Sequence, residues 1–167
     1  MGTWDTPGQI DDEQRYQGLF DPETQLPTWV LLRDRLEVGL GRARRTNSQV
    51  LVMWFELDAS LADRSSSAIP PLTGAMRDAL RPDDTLARVD ELELVALCHD
   101  IVREEARHFI VDRLCAAIPK PDAGSAQFVT RVGTTLAGPS ERAPQVLEAA
   151  RGSMQPVTAT LLPIRAV

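Results

Sequence analysis

Six apolar residues stand in an unbroken row from Val50 to Phe55, closed by Glu56, Leu57 and Asp58, and this run constrains the fold more than any other feature. A short apolar run without polar alternation fits a central strand covered on both faces. The chain must therefore supply a layer on each side of it. It is also the longest such run, far short of the ~20 residues that cross a bilayer. One cover precedes it directly. Between Trp29 and Arg45, Leu32, Leu36, Leu40 and Ala43 recur at helical intervals, with Arg33, Arg35, Glu37, Arg42 and Arg44 around them. Thr28, after Pro27, suits an N-cap, and Thr46, Asn47 and Ser48 end this amphipathic helix.

Further elements follow in alternation. Residues 62–71, rich in serine and ending in Pro70 and Pro71, read as a loop before a short helix from Leu72 to Leu80. Thr85 to Val89 and Leu92 to Cys98 read as two strands of a hairpin, separated by Asp90 and Glu91. A helix is expected from Val102 to Ile118, stopped by Pro119, then a strand from Phe128 to Leu136 and a helix from Pro144 to Met154. Val157 to Ile164 reads as a last strand, at an edge because of Pro163. The order predicts one α/β (α+β) domain over residues 20–167, with a single mixed, mostly antiparallel sheet of about five strands flanked by helices. Residues 1–19 are polar and read as a flexible arm.

The 167 residues are enough to bury a core without a disulfide or metal staple. The net charge of −6, with seventeen arginines and one lysine (Lys120), argues against non-specific nucleic-acid binding, which depends on neutralising phosphates. A local arginine cluster still suits a small anion. Cys98, Cys115, His99 and His108 match no zinc spacing, and the two cysteines read as buried thiols, so no cofactor is expected. Asp5, Asp11, Asp12 and Glu13 exclude a signal peptide, and the expected location is cytoplasmic, away from membranes.

Asp21-Pro22-Glu23-Thr24-Gln25-Leu26-Pro27 resembles the D-P-x-T-G-L-P segment that opens GGDEF domains, the diguanylate cyclases of a bacterial second-messenger system, with Gln25 in place of the glycine. The helix through Leu32, Arg33, Asp34, Arg35 and Leu36, the strand Val50 to Asp58, the segment Leu80 to Val89 and the late strand Val129 to Gly133 follow in the order that family shows, across about residues 20–160. The resemblance implies a palm-like nucleotidyl-cyclase fold, and an activity in which two facing subunits join two GTP molecules into cyclic di-GMP. Such phosphoryl transfer needs metal ions clamped by carboxylates, cations on the phosphates and a backbone that closely approaches the nucleotide.

Measured against that pattern, the signature falls on Asp90-Glu91-Leu92-Glu93-Leu94. Both glycines are gone, so side chains fill the turn that should admit the nucleotide. The metal-binding acid position is Leu92, and only Glu93 keeps its type. Glu56 takes the metal-acid position on the preceding strand, Arg64 the guanine contact, Leu61 a phosphate lysine, and Arg151 a second lysine on the last helix. The resemblance therefore implies a degenerate, catalytically inactive domain. Plainer roles stand beside these: Glu56, Asp58 and Glu93 as solvated strand-end carboxylates, Arg151 as a surface helix charge, Asp90 and Glu91 as a polar hairpin tip.

One motif of the family persists. An R-x-x-D inhibitory site lies five residues before the signature, and here Arg81-Pro82-Asp83-Asp84 precedes Asp90 by that interval. Family members complete this cyclic di-GMP site with an arginine on the following helix, where Arg113 lies. At about 100° per residue with Ile110 at zero, Leu114 falls near 40°, Ala117 near 340°, Ala106 near 320° and Phe109 near 260°. Arg113 falls at about 300° by the same rule, inside that apolar stripe, where its guanidinium must find a partner or snorkel. Alternatively Arg81 and Asp84 only end a helix and start a strand, and Arg113 pairs with Asp84.

Three functions are thus expected in order: a regulatory domain that binds cyclic di-GMP through Arg81, Asp84 and Arg113; a homodimerisation or protein-docking module with Trp4, Trp29 and the acidic tip as contacts; and a weak cyclase using Glu56 and Glu93.

Overall fold

The computed structural model describes residues 18–120 and 127–157 of the chain. At its centre, strand β1 (Gln49–Leu57) pairs antiparallel with β3 (Glu93–Ile101) on one side and β4 (Val129–Ala137) on the other. Strand β2 (Thr85–Asp90) extends the sheet beyond β3, and β5 (Gln155–Pro156) beyond β4, in the order β2-β3-β1-β4-β5. Every pairing is antiparallel, so the predicted mixed sheet of about five strands is an antiparallel one. The hairpin Thr85–Cys98 is present, with β3 running three residues further at its open end, to Ile101.

The apolar run of β1 is explained by its position. Leu51, Met53 and Phe55 face helices α2 (Ser65–Asp78) and α3 (Glu105–Ala117), whereas Val50, Val52 and Trp54 face α1 (Trp29–Thr46) and α4 (Ala143–Gly152). All six side chains are buried. Helix α1 packs through the predicted Leu32, Leu36, Leu40 and Ala43, and Asn47 ends it in the left-handed region that asparagine tolerates. Gly133 lets α4 lie directly on the sheet, since a Cβ there would stand 2.1 Å from the Ala150 carbonyl oxygen.

Two expectations are corrected. The predicted loop 62–71 is a 3-10 turn (Ala59–Arg64) running into α2, which contains Pro70 and Pro71. Ile69, Leu72 and Met76, spaced along one face and fully buried, outweigh the lost hydrogen bonds, and the Thr73 hydroxyl caps the Pro70 carbonyl at 3.1 Å. Helix α3 starts at Glu105 and leaves Val102 exposed outside it. Thr28 occupies the N-cap of α1, but its hydroxyl donates to the Gly18 carbonyl at 2.6 Å, and its N–H to Leu19. Gly18 and Leu19 are therefore tied to the domain; the rest of the expected arm, residues 1–17 with Trp4, lies outside the described residues. So does the predicted strand Val157–Ile164 except Val157, which donates its N–H to Thr130 just after β5.

Candidate functional site

Two sites sit at opposite ends of the β2–β3 hairpin. At its open end the turn Arg81–Asp84 joins α2 to β2. The Asp84 carboxylate accepts the N–H of Arg81 at 3.1 Å through one oxygen and the N–H of His99 at 3.2 Å through the other. This carboxylate is thus oriented by two backbone donors, one in its own turn and one on β3. Arg81 and Arg113 are exposed, and neither guanidinium makes an ion pair among the described residues.

The neighbouring Cys98 thiol registers all three groups. Burial pushes it up to about 12, Asp84 pushes the same way, and Arg113 and Arg81 pull it down. A thiol held at that value stays protonated and unreactive, as expected of a buried cysteine.

Arg113 does not lie in the apolar stripe. The buried line of α3 is Ile110 and Leu114, continued by the half-buried Val111, Cys115 and Ile118, while Phe109 is 77% exposed. The core takes the Val111 side of the helix and leaves Arg113 outside. Its guanidinium projects to solvent instead of pairing with Asp84, whose oxygens face backbone N–H groups.

On the α1 side of the same turn, His99 packs on Gly39, where an added Cβ would meet the imidazole at 2.5 Å. Burial lowers the His99 pKa and Arg42 adds to this, against Asp84, Asp100 and Asp83. Arg42 itself pairs with Asp100 at 2.6 Å.

At the closed end, Asp90 and Glu91 form an exposed tip, as expected for polar turn residues. Leu92 packs on the core beside α2 and α3, and Leu94 is fully buried. Leu61, at the position of a phosphate lysine, is likewise a core residue. Arg64 closes the 3-10 turn, and its side chain lies outside what is described.

Glu56 and Glu93 are not merely solvated. Glu93, Glu56 and Arg131 are successive cross-strand neighbours on β3, β1 and β4. Arg131 meets Glu56 at 3.4 Å, and Arg151 of α4 meets Glu93 at 2.9 Å. The second Glu93 oxygen accepts the Trp54 indole N–H at 3.2 Å. Arg151 also lies 5.5 Å from the centre of the Trp54 ring, which Trp29 meets at a tilt. Asp58 is occupied by the N–H and hydroxyl of Ser60, which hold its carboxyl below the usual range. With Glu56 and Glu93 each held by an arginine, and no group of three or more histidine, cysteine or acidic side chains able to hold a metal among the described residues, the two carboxylates as they stand do not fit the divalent ion that the resemblance implies.

Sequence reasoning missed Arg88. Buried in β2, it donates to Asp21 at 3.2 Å, to Glu23 and to the Glu91 carbonyl at 2.9 Å, so it ties the opening turn to the hairpin tip. Asp21 also accepts the N–H and hydroxyl of Thr24 at 2.8 and 2.6 Å. Burial works against its charge, yet these bonds and Arg88 hold its pKa below the usual value. Arg131 was also missed. An arginine inside an otherwise apolar strand segment was the available signal for Arg88; nothing local marked Arg131.

This architecture, a five-stranded antiparallel sheet with two helices on each face and the β2–β3 hairpin at one side, is the fold of GGDEF domains. It matches the GGDEF domain of TpbB (YfiN) from Pseudomonas aeruginosa with a TM-score of 0.64 at 21% identity, covering 80% of this chain and 87% of that one. The GGDEF domain of DgcB from Caulobacter crescentus in complex with c-di-GMP matches at 0.67 and 15% identity, covering 80% and 84%. The diguanylate cyclase SiaD from Pseudomonas aeruginosa, in complex with its activator SiaC, matches at 0.68 and 18% identity over 84% of this chain and 58% of that one. No protein-family model matches the sequence, and no curated protein resembles it significantly. Among the described residues no helix is long and apolar enough to cross a membrane.

Proposed function

We propose that this chain is a regulatory GGDEF-like domain, without cyclase activity, that binds cyclic di-GMP at Arg81, Asp84 and Arg113. The observation that carries the reading is the Asp84 carboxylate, held by the N–H groups of Arg81 and His99, with the exposed guanidinium of Arg81 in the same turn and that of Arg113 on the next helix, both without an ion pair among the described residues. Each piece has a task. Arg81 presents a planar fork to a phosphate or to the Hoogsteen edge of a guanine. Arg113 stacks on the second base or pairs with the other phosphate. Asp84 keeps free lone pairs for the N1 and N2 donors of guanine. The DgcB structure, of the same fold, contains this ligand.

The other end of the hairpin supports the inactive reading. Leu92 replaces a metal acid, side chains stand where the signature has glycines, and the remaining carboxylates already hold arginines. Calorimetry tests the binding half: cyclic di-GMP releases heat with the wild type and not with Arg81→Ala, and no heat from the folded wild type at large ligand excess ends the reading. Incubation with GTP and Mn²⁺ tests the other half, with no cyclic product expected by mass spectrometry.

A protein-docking role is the second reading. It is favoured by exposed Phe109, Val102 and Trp29, and by the protein activator bound to SiaD. It predicts a partner, or a second copy of the chain, whose recovery is indifferent to cyclic di-GMP. A bacterial, cytoplasmic signalling context is part of the proposal.

A further inference from the structure

The face of the sheet at the closed end of the hairpin carries a charge arrangement that the ligand reading does not use. Glu93 and Glu56 are neighbours across two central strands. Like charges in directly opposed positions destabilise a sheet unless a cation lies between or beside them. Two cations are present, and both belong to the chain. Arg131, opposite Glu56 on β4, bonds that carboxylate and also donates to the Met154 carbonyl at 3.2 Å. Arg151 bonds Glu93 and is steadied by the Trp54 ring, whose indole N–H takes the other Glu93 oxygen. Two negative and two positive charges thus cancel within one patch.

We infer that Arg131 and Arg151 have replaced the divalent cation on this face, so that the domain carries its counter-charge internally and binds no Mg²⁺ or Mn²⁺ there. A hard cation takes about six oxygen ligands, and to collect Glu56 and Glu93 it would have to displace both guanidinium groups and stay beside their charge. Each pair alone is a modest, partly exposed salt bridge. Their shared consequence is that neither carboxylate is available. The inference is independent of cyclic di-GMP, which belongs to the opposite end of the hairpin.

Mn²⁺ titration followed by electron paramagnetic resonance and by thermal melting tests it, on the wild type and on an Arg131→Gln, Arg151→Gln double variant. The wild type shows no bound ion and the same melting temperature with chelator or with millimolar Mn²⁺. The double variant, left with two facing carboxylates, melts lower, binds the ion and recovers several degrees on its addition. Arg151→Gln alone behaves the same way to a smaller degree, which keeps the test available should the double variant not fold. Stoichiometric Mn²⁺ on the wild type overturns the inference. So does a folded variant that melts with the wild type or is indifferent to Mn²⁺.

Discussion

The guanidinium of Arg88 reaches the carboxylate of Asp21 at 3.2 Å across 67 positions of the chain. The same group holds Glu23 and the Glu91 carbonyl, and the Arg88 N–H donates to the Pro27 carbonyl at 2.9 Å. One buried cation therefore docks the opening turn on the edge strand of the sheet. Arg88→Ala leaves two partly buried carboxylates facing each other without it. Chemical denaturation should show a loss of about 2–4 kcal/mol, the lower half of the range reflecting the partial exposure of the acids. A loss below ~0.5 kcal/mol refutes this clamp. Because Asp21 has its folded pKa below the ordinary 3.8 of an aspartate, its contribution is present above that pH and is lost as the pH falls through the lower folded value. The wild type should therefore lose stability more steeply than Arg88→Ala below about pH 4.

Gln25 stands in the left-handed region at φ 59°, at the position where the GGDEF pattern has glycine. Its side chain is exposed and makes only a bond to the Pro22 carbonyl at 3.0 Å. Relief of left-handed strain, about 1–2 kcal/mol, is partly offset by the extra freedom of glycine in the unfolded chain. Gln25→Gly should gain up to about 1 kcal/mol in denaturant melts, and a clear loss of stability contradicts the argument.

His99 gives the second pH effect, of the same sign. Its folded pKa lies below 6.5, because burial against Gly39 outweighs the three aspartates near it. In the window between the folded value and 6.5 the unfolded chain binds more protons, so stability falls as the pH drops through that window. His99→Gln should flatten the profile there. An unchanged slope between pH 7 and pH 5 would show that another group is responsible.

Arg113→Ala separates the ligand reading from a structural one. The side chain is exposed and unpaired among the described residues, so melting should stay within ~0.5 kcal/mol of the wild type. Affinity for cyclic di-GMP should fall by about tenfold or more, the value of one charge-assisted contact. Loss of stability with unchanged affinity would assign Arg113 to the fold instead.

The elements that rest on local pattern were legible in the residues. Val50 to Phe55 needed two covers because it offers no polar face, and the period of Leu32, Leu36, Leu40 and Ala43 marks the face of α1 that supplies one of them. The position of Arg81-x-x-Asp84 ahead of the hairpin was likewise visible in one dimension. What depends on register or on the orientation of a neighbour was not. Pro70 and Pro71 argued for a loop, since helix propensity counts their missing donors but not the buried Ile69, Leu72 and Met76. An angular projection of α3 orders its residues around the axis, yet only packing decides which arc meets the sheet, and it placed Arg113 outside. The pairing of Arg131 with Glu56, and of Arg151 with Glu93, joins residues 75 and 58 positions apart. Strand register and the seating of α4 on Gly133 bring those charges together, and a charge records nothing in the sequence about the partner that folding delivers to it.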